Sequence, residues 1–181
     1  MDHDSDLVGT GEGAARELRG ILIRSFQDAD AAPTDAVAIS AFQQYENVYS
    51  DWDVLMRSVG AMSSLARHSE LLVADIGGSV VGAVAYFGPG AMPRAEFFEP
   101  EWPIIRMLVV DPVARGLGIG RRLTEACVAR ARRDGSRLIA LHTSPAMKVA
   151  LAMYLRMGFV LDRTAPDRFG VPYGVYLLPM V

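Results

Sequence analysis

Val110-Asp111-Pro112-Val113-Ala114-Arg115-Gly116-Leu117-Gly118-Ile119-Gly120-Arg121-Arg122-Leu123 is the stretch that decides how this chain is read. An apolar run, Ile104 to Val110, stops at Asp-Pro, a glycine-rich turn follows, and a helix opens with two arginines. Glycine adopts positive φ without a Cβ penalty, so its backbone N–H groups can turn toward a ligand and approach it closely. The helix start adds unsatisfied donors and the positive end of its dipole. Together these supply the chemistry of a pyrophosphate cradle.

Spacing excludes two familiar phosphate loops. A P-loop requires G-x-x-x-x-G-K-[ST], and this region contains no lysine. A dinucleotide fingerprint requires G-x-G-x-x-G, whereas here Gly116, Gly118 and Gly120 alternate and Arg121 stands where a third glycine would. Taken alone, the glycines read equally as a tight strand-to-helix connection. The second element lies downstream, in Ala150-Leu151-Ala152-Met153-Tyr154-Leu155-Arg156-Met157-Gly158-Phe159, which reads as a short helix ending at a glycine before a strand.

The two segments resemble the R-x-x-G-x-G loop and the Y-x-x-x-G-F motif of the GNAT superfamily of acyl-CoA N-acyltransferases. They occur in the order strand, glycine loop, helix, strand, helix, Gly-Phe, strand, and the resemblance covers about residues 20–181. It implies acetyl-CoA as cosubstrate and no metal. Leu108, Val109 and Val110 would offer backbone to the thioester, and Arg115, Gly116, Leu117, Gly118, Ile119, Gly120 and Arg121 would hold the phosphates. The implied reaction is direct attack by a primary amine of a small molecule, or by a protein amino group, in a ternary complex. A non-catalytic acyl-CoA-binding module is the alternative. One departure is Met147, which stands where many members carry an asparagine seven residues before the tyrosine.

Acyl transfer to an amine needs a neutral nucleophile, a donor for the oxyanion and a proton for the leaving thiolate. An alkylammonium of pKa near 10.4 is about 0.1 % neutral at pH 7.4, a cost of roughly 4 kcal/mol. Tyr154 is the candidate for the thiolate, because a phenol near pKa 10 always carries its proton at neutral pH. The alternative for Tyr154 is packing under the glycine loop. Candidates for a base are Glu96, Glu99 and Glu101, ahead of the central strand, although all three also suit a solvated loop. His142, at a strand end, reads as a hydrogen-bonded structural histidine. Tyr45, Glu46, Tyr49, Trp52, Phe97 and Phe98 are plausible walls for the amine.

Composition agrees with one folded domain. Apolar residues make up 51 % and charged residues 22 % of 181, an ordinary globular balance. No apolar run reaches the roughly 18 residues of a membrane span. The acidic start Met1 to Asp6 lacks the order of a signal peptide, so a cytoplasmic protein is expected. Cys127 falls on a buried helix stripe and reads as core. Seven arginines between Arg115 and Arg137 give that segment +5 against −8 elsewhere, without the interleaved aromatics that favour nucleic acid. Arg130, Arg132 and Arg133 therefore read as a solvated helix face.

Richness in Asp, Gly and Glu marks residues 1–19 as an expected leader, and the resemblance implies an acetyltransferase domain over residues 20–181. Strands are expected at Gly20–Arg24, Leu71–Ile76, Ser79–Phe87, Ile104–Val110, Arg137–His142, Phe159–Asp162 and Gly174–Leu178. Helices are expected after the Asp28–Pro33 turn as far as Tyr49, after a Ser50/Asp53 capping pair, from Arg121, and from Lys148 to Met157. The fold class is mixed α/β (α+β): a mostly antiparallel sheet with helices on both faces. One parallel pair flanks the glycine loop, joined by a right-handed crossover helix. That this pair splays apart is implied by the resemblance alone. A homodimer is expected by the same analogy, through the last strand and the Phe169–Tyr173 connection.

Overall fold

The structure, a computed structural model, describes residues 20–180; the expected leader lies outside the described residues. The strands are β1 (Ile21–Ser25), β2 (Glu70–Ile76), β3 (Ser79–Phe87), β4 (Ile104–Val110), β5 (Leu138–Thr143), β6 (Val160–Arg168) and β7 (Val171–Pro179). The α-helices are α1 (Ala31–Phe42), α2 (Trp52–Val59), α3 (Ile119–Arg133) and α4 (Lys148–Arg156). The sheet order is β1-β2-β3-β4-β5-β7-β6, and only β4 and β5 run parallel. The expected fold class holds.

Both faces of the sheet are covered, which is why β2 and β3 are nearly continuous apolar runs. Leu71, Val73, Ala83, Ala85 and Phe87 point into one core with α1 and α2. Leu72, Ala74, Val84 and Tyr86 alternate into the other, beneath α3 and Tyr154 of α4. Ile119, Leu123 and Cys127 of α3 are sealed there, and full burial of a large aliphatic side chain contributes about 1.5–3 kcal/mol. Gly82 sets the depth of that contact. A Cβ at this position would lie 2.9 Å from Ile119 Cγ2 and 3.0 Å from the Val109 carbonyl, so α3 sits directly on β3. This seats the start of α3 at the end of β4.

Several boundaries differ from the sequence reading, each for a local reason. The first helix starts at Ala31, not beyond Pro33; the proline occupies the first turn, where its missing N–H is no loss. That helix ends at Phe42 and does not run to Tyr49. The Gln44 amide and an Arg115 guanidinium N–H both bond to the Ala41 carbonyl, at 2.8 and 3.2 Å, and so occupy the acceptor that would continue it. Ser50 and Asp53 do not cap α2. Its N-cap is Asp51, and the Ser50 N–H is directed to the Phe169 carbonyl at 2.9 Å.

The largest correction is the C-terminal hairpin. β6 runs nine residues, to Arg168, where a strand only to Asp162 was expected, and β7 begins at Val171. Phe169 and Gly170 both have positive φ (49° and 74°), the two-residue turn whose twist suits a hairpin. β6 is an edge strand exposed along most of its length, so it carries no hydrophobic alternation and tolerates Pro166. Val171 and Tyr173 of the 169–173 connection are buried within the chain, whereas Gly170 and Pro172 are exposed. The exposed apolar residues of this hairpin are Val160 and Leu161, on the β6 edge.

Candidate functional site

The parallel pairing between β4 and β5 stops after Ile105 and Leu141, and the remainder of β4 diverges. A bulge accompanies the divergence. Ala83 faces Val109 and Ala85 faces Arg106, which leaves Met107 and Leu108 together opposite Val84. Met107 has φ 54°, an uncommon left-handed conformation for a side-chain-bearing residue. The extra residue bends β4 away from its neighbour and takes two residues out of register at the opening.

A cleft of about 450 Å³ opens beside the diverging end of β4, with Met147 and α4 on its other side. Of the residues expected to hold the cofactor, it is lined by Leu108, Val109, Val110, Arg115, Gly116, Gly118, Ile119, Gly120 and Arg121; Leu117 packs into the core behind it. Asp111 turns the chain by accepting from the Val113 N–H at 3.0 Å. Gly116 and Gly118 have φ 82° and 74°, and a Cβ at either would meet open space. Their requirement is therefore conformational and not a lack of room. Gly118 caps α3 without a side chain, and the first bond within the helix is from the Arg122 N–H to the Gly118 carbonyl at 3.1 Å. The N–H groups of Ile119, Gly120 and Arg121 are left without intrahelical acceptors at the mouth of the cleft. The Arg121 side chain pairs with Glu125 at 2.8 Å, while Arg115 braces the loop against the end of α1.

Tyr154 is buried, and its ring meets Phe159 edge-on, 5.5 Å between centroids. The reason is the end of α4. Gly158 has φ 95°, and the Phe159 N–H bonds to the Tyr154 carbonyl at 3.0 Å, the hydrogen-bond signature of a Schellman cap. In that cap the residues flanking Y-x-x-x-G-F are the pair brought into apolar contact, so the motif's spacing has a structural cause. The Tyr154 hydroxyl makes no hydrogen bond to another described residue. Burial raises its pKa further, and its electrostatic neighbours are Cys127 and Tyr45. Tyr45 is itself a wall of the cleft, although Tyr154 is not. Cys127 is sealed, with its thiol pushed up to about 12, consistent with a core residue.

The suggested bases are elsewhere. Glu99 pairs with Arg163 at 3.1 Å, and Glu96 and Glu101 are exposed. Glu46 bonds to Gln43 on the surface. Among the described residues that line the cleft there is no carboxylate and no imidazole. Met147 lines it, with its sulfur 3.7 Å from the Thr143 hydroxyl. Arg130 and Arg133 pair with Glu70, which keeps their charges on the outer face of α3.

The aromatic candidates form a belt beside the cleft. Tyr45 meets Tyr49 edge-on at 6.3 Å, and Tyr49 shares a 2.5 Å hydroxyl contact with Tyr173. Tyr173 in turn packs on His142, which also meets Phe97 and Phe98. His142 is hydrogen-bonded as expected, from Arg168 to its Nε2 at 3.3 Å, but only on that side of the ring. Its Nδ1 is buried without a partner, and burial, followed by the charges of Arg168 and Arg106, lowers its pKa to about 4. Arg106 and Arg168 were not singled out from the sequence, because nothing local marks them.

The sequence model of the Acetyltransferase (GNAT) family matches residues 28–159. A mycothiol acetyltransferase of Cellulomonas flavigena is 32 % identical over 191 aligned positions, 92 % of this chain and 52 % of its own length. A second, from Geodermatophilus obscurus, is 40 % identical over 55 positions, 30 % of this chain and 18 % of the relative. The chain thus spans about half of the first curated relative, and the match to the second covers under a fifth of it. Two solved structures share the fold. A GCN5-related N-acetyltransferase from Rhodopseudomonas palustris superposes with a TM-score of 0.69 at 20 % identity, covering 88 % of this chain and 95 % of that one. A GNAT family acetyltransferase from Brucella melitensis, solved in complex with acetyl-CoA, gives 0.59 at 23 % identity, covering 89 % and 88 %.

Proposed function

The chain belongs to the acetyltransferase (GNAT) family, and from that premise we propose that it transfers an acetyl group from acetyl-CoA to a primary amine, of a small molecule or of a protein. The observation that carries the reading is the cleft itself. Orphaned N–H groups at the start of α3 face it at one end, and the diverging end of β4 and one side of α4 form its walls. Pyrophosphate oxygens suit the first feature, and an extended pantetheine arm suits the second. Acetyl-CoA would supply the activated acyl group as a thioester.

The protein's part then divides among three places. The Ile119, Gly120 and Arg121 amides bind phosphate with help from the helix dipole. The peptide groups at the Met107–Leu108 bulge are the candidate donors to the oxyanion, as fixed dipoles that need no reorganisation. Tyr154, which is not on the cleft wall but neighbours Tyr45, which is, would offer its phenolic proton to the departing sulfur. Because burial makes that phenol less acidic, its contribution is a hydrogen bond to the thiolate more than complete proton transfer. With no carboxylate or imidazole on the cleft wall, the amine reaches its neutral form through solvent.

The test is release of free thiol when purified protein is mixed with acetyl-CoA and a panel of primary amines. Turnover above the protein-free blank is expected with at least one amine. Saturable CoA binding with no thiol release from any of them would instead identify a non-catalytic acyl-CoA-binding module.

A further inference from the structure

A second cavity of about 300 Å³ lies beside the aromatic belt, with Arg106, Arg168 and His142 on its walls together with Phe97, Phe98 and Ile104. Arg94 also lines it, but its guanidinium is occupied by the carbonyls of Gly88, Ala91, Glu99 and Trp102. Arg106 and Arg168 are engaged differently. Arg106 lies 5.1 Å over the Phe87 ring and makes one long contact, 3.5 Å, to the Pro93 carbonyl. Arg168 lies 3.3 Å from His142 Nε2. A guanidinium can only donate, so Nε2 accepts and the imidazole proton sits on Nδ1, the buried nitrogen with no partner.

Neither arginine has a carboxylate within ion-pair distance among the described residues, although Asp167 is on the cavity wall. Arg24, Arg130, Arg133 and Arg163, by contrast, are all paired. A partly buried guanidinium and an exposed one thus meet at a pocket with apolar walls, beside an imidazole whose buried N–H has no partner. Burial and the facing Arg168 charge both push the pKa of Arg106 down. Uncompensated charge in such surroundings is costly. A bound anion removes that cost, and guanidinium forks match the oxygens of a carboxylate or phosphate.

Resting on the acetyl-transfer reading, we propose that this cavity binds an anionic group of the acyl acceptor, so that the preferred acceptor is an amine carrying a carboxylate or a phosphate. Arg106 lies two residues before Leu108, whose peptide group is a candidate oxyanion donor, about 7 Å at the usual strand rise and less through the bulge. An acceptor anchored at Arg106 and Arg168 therefore presents its amine to the cleft across a spacer of a few bonds. A continuous series of side-chain contacts, from His142 through Tyr173 and Tyr49 to Tyr45, links the wall of this cavity to the wall of the cleft.

The binding arm of the test needs no catalysis. N-acetyl-β-alanine, a product-like carboxylate, is titrated into the protein while the His142 ring resonances are followed by NMR, with its carboxamide as control. A saturable shift is expected for the carboxylate, at least tenfold weaker for the carboxamide and for Arg168→Gln. Arg168 is exposed at a strand end, so its replacement carries little risk to folding; Arg106→Gln, after a check of its thermal melt, is the second variant. The kinetic arm compares kcat/KM for β-alanine and phosphoethanolamine with that for β-alaninamide and ethanolamine. A preference of at least tenfold for the charged acceptors is expected, with collapse toward one in Arg168→Gln. The favoured anion separates carboxylate from phosphate. Equal binding of carboxylate and carboxamide, or a preference that survives both substitutions, overturns the proposal. Arg168-dependent binding without turnover of any amine keeps the anion site and removes the transfer reading; turnover indifferent to acceptor charge does the reverse.

Discussion

The cleft and the cavity beside it are built in opposite ways. The cleft is a backbone site: its donors are amides, and its shape comes from two positive-φ glycines, a helix start and a bulge. The cavity is a side-chain site, with its groups supplied by the loop before β4, by β4 itself and by the ends of β5 and β6. A backbone site must be specified by residues that permit unusual φ, and these stand close together in the chain. A side-chain site can be assembled from residues with no local signature. On the proposed reading the first recognises what every acetyl-CoA presents, and the second recognises what distinguishes one acceptor from another.

The largest test of this division is Tyr154→Phe, because the proposed reading draws one buried side chain, not itself on the cleft wall, into the chemistry of a backbone-built cleft. The substitution keeps the ring that packs on Phe159 and the cap at Gly158, and removes only the hydroxyl. If that hydroxyl stabilises the thiolate, steady-state turnover falls by about 10²-fold with CoA affinity nearly unchanged, in the range of acid-catalyst contributions. Turnover within about threefold of the parent would make Tyr154 a capping residue, and the cleft would then act through backbone alone.

Next in size is Gly118→Val. A side chain at this position meets empty space, so the penalty arises from φ 74°, where a β-branched residue is disfavoured by about 1–2 kcal/mol and the loop must reshape. CoA affinity measured by calorimetry is expected to fall more than tenfold, over 1.4 kcal/mol, in a variant whose melt shows it folded. Unchanged affinity would show that the loop's conformation is not what binds the phosphates.

The same contrast explains what was legible in the sequence. The strand Ile104–Val110, the glycine turn from it into a helix and the hairpin at Gly77-Gly78 are legible because each is a local conformational demand. β6 beyond Asp162 was missed, since an exposed edge strand has no buried face to impose alternation. The end of α1 was missed because it depends on Arg115, more than seventy residues away, bonding to the Ala41 carbonyl. Glu96, Glu99 and Glu101 attracted attention as acids near the central strand, but Glu99 is held by Arg163 and none of the three lines the cleft. Arg106 is one charge in an apolar strand. Its setting appears only when the β6–β7 hairpin brings Arg168 to the same cavity, and the exposed edge strand of that hairpin carries no periodic signal.

The smallest effect concerns His142, and it bears on whether the cavity is charged against itself. In the unfolded chain this imidazole titrates near 6.5, whereas in the fold its pKa is held at about 4 by burial and by Arg168 and Arg106. Between those values the unfolded state binds the extra proton, so stability is greatest above pH 6.5 and declines as pH falls toward 4. Discounted for the water that reaches this pocket, the loss is about 1 kcal/mol. His142→Phe keeps a ring against Phe97, Phe98 and Tyr173 while removing the titrating group and the orphaned Nδ1–H. Urea midpoints of parent and variant should be similar at pH 7.5 and diverge at pH 5, with the variant the more stable. N-acetyl-β-alanine should reduce the divergence, because an anion between the two arginines makes protonation of His142 less costly. A parent whose midpoint does not change from pH 7.5 to pH 5, while the variant's is also unchanged, would mean that the arginine charges are already compensated and that the cavity does not need an anion.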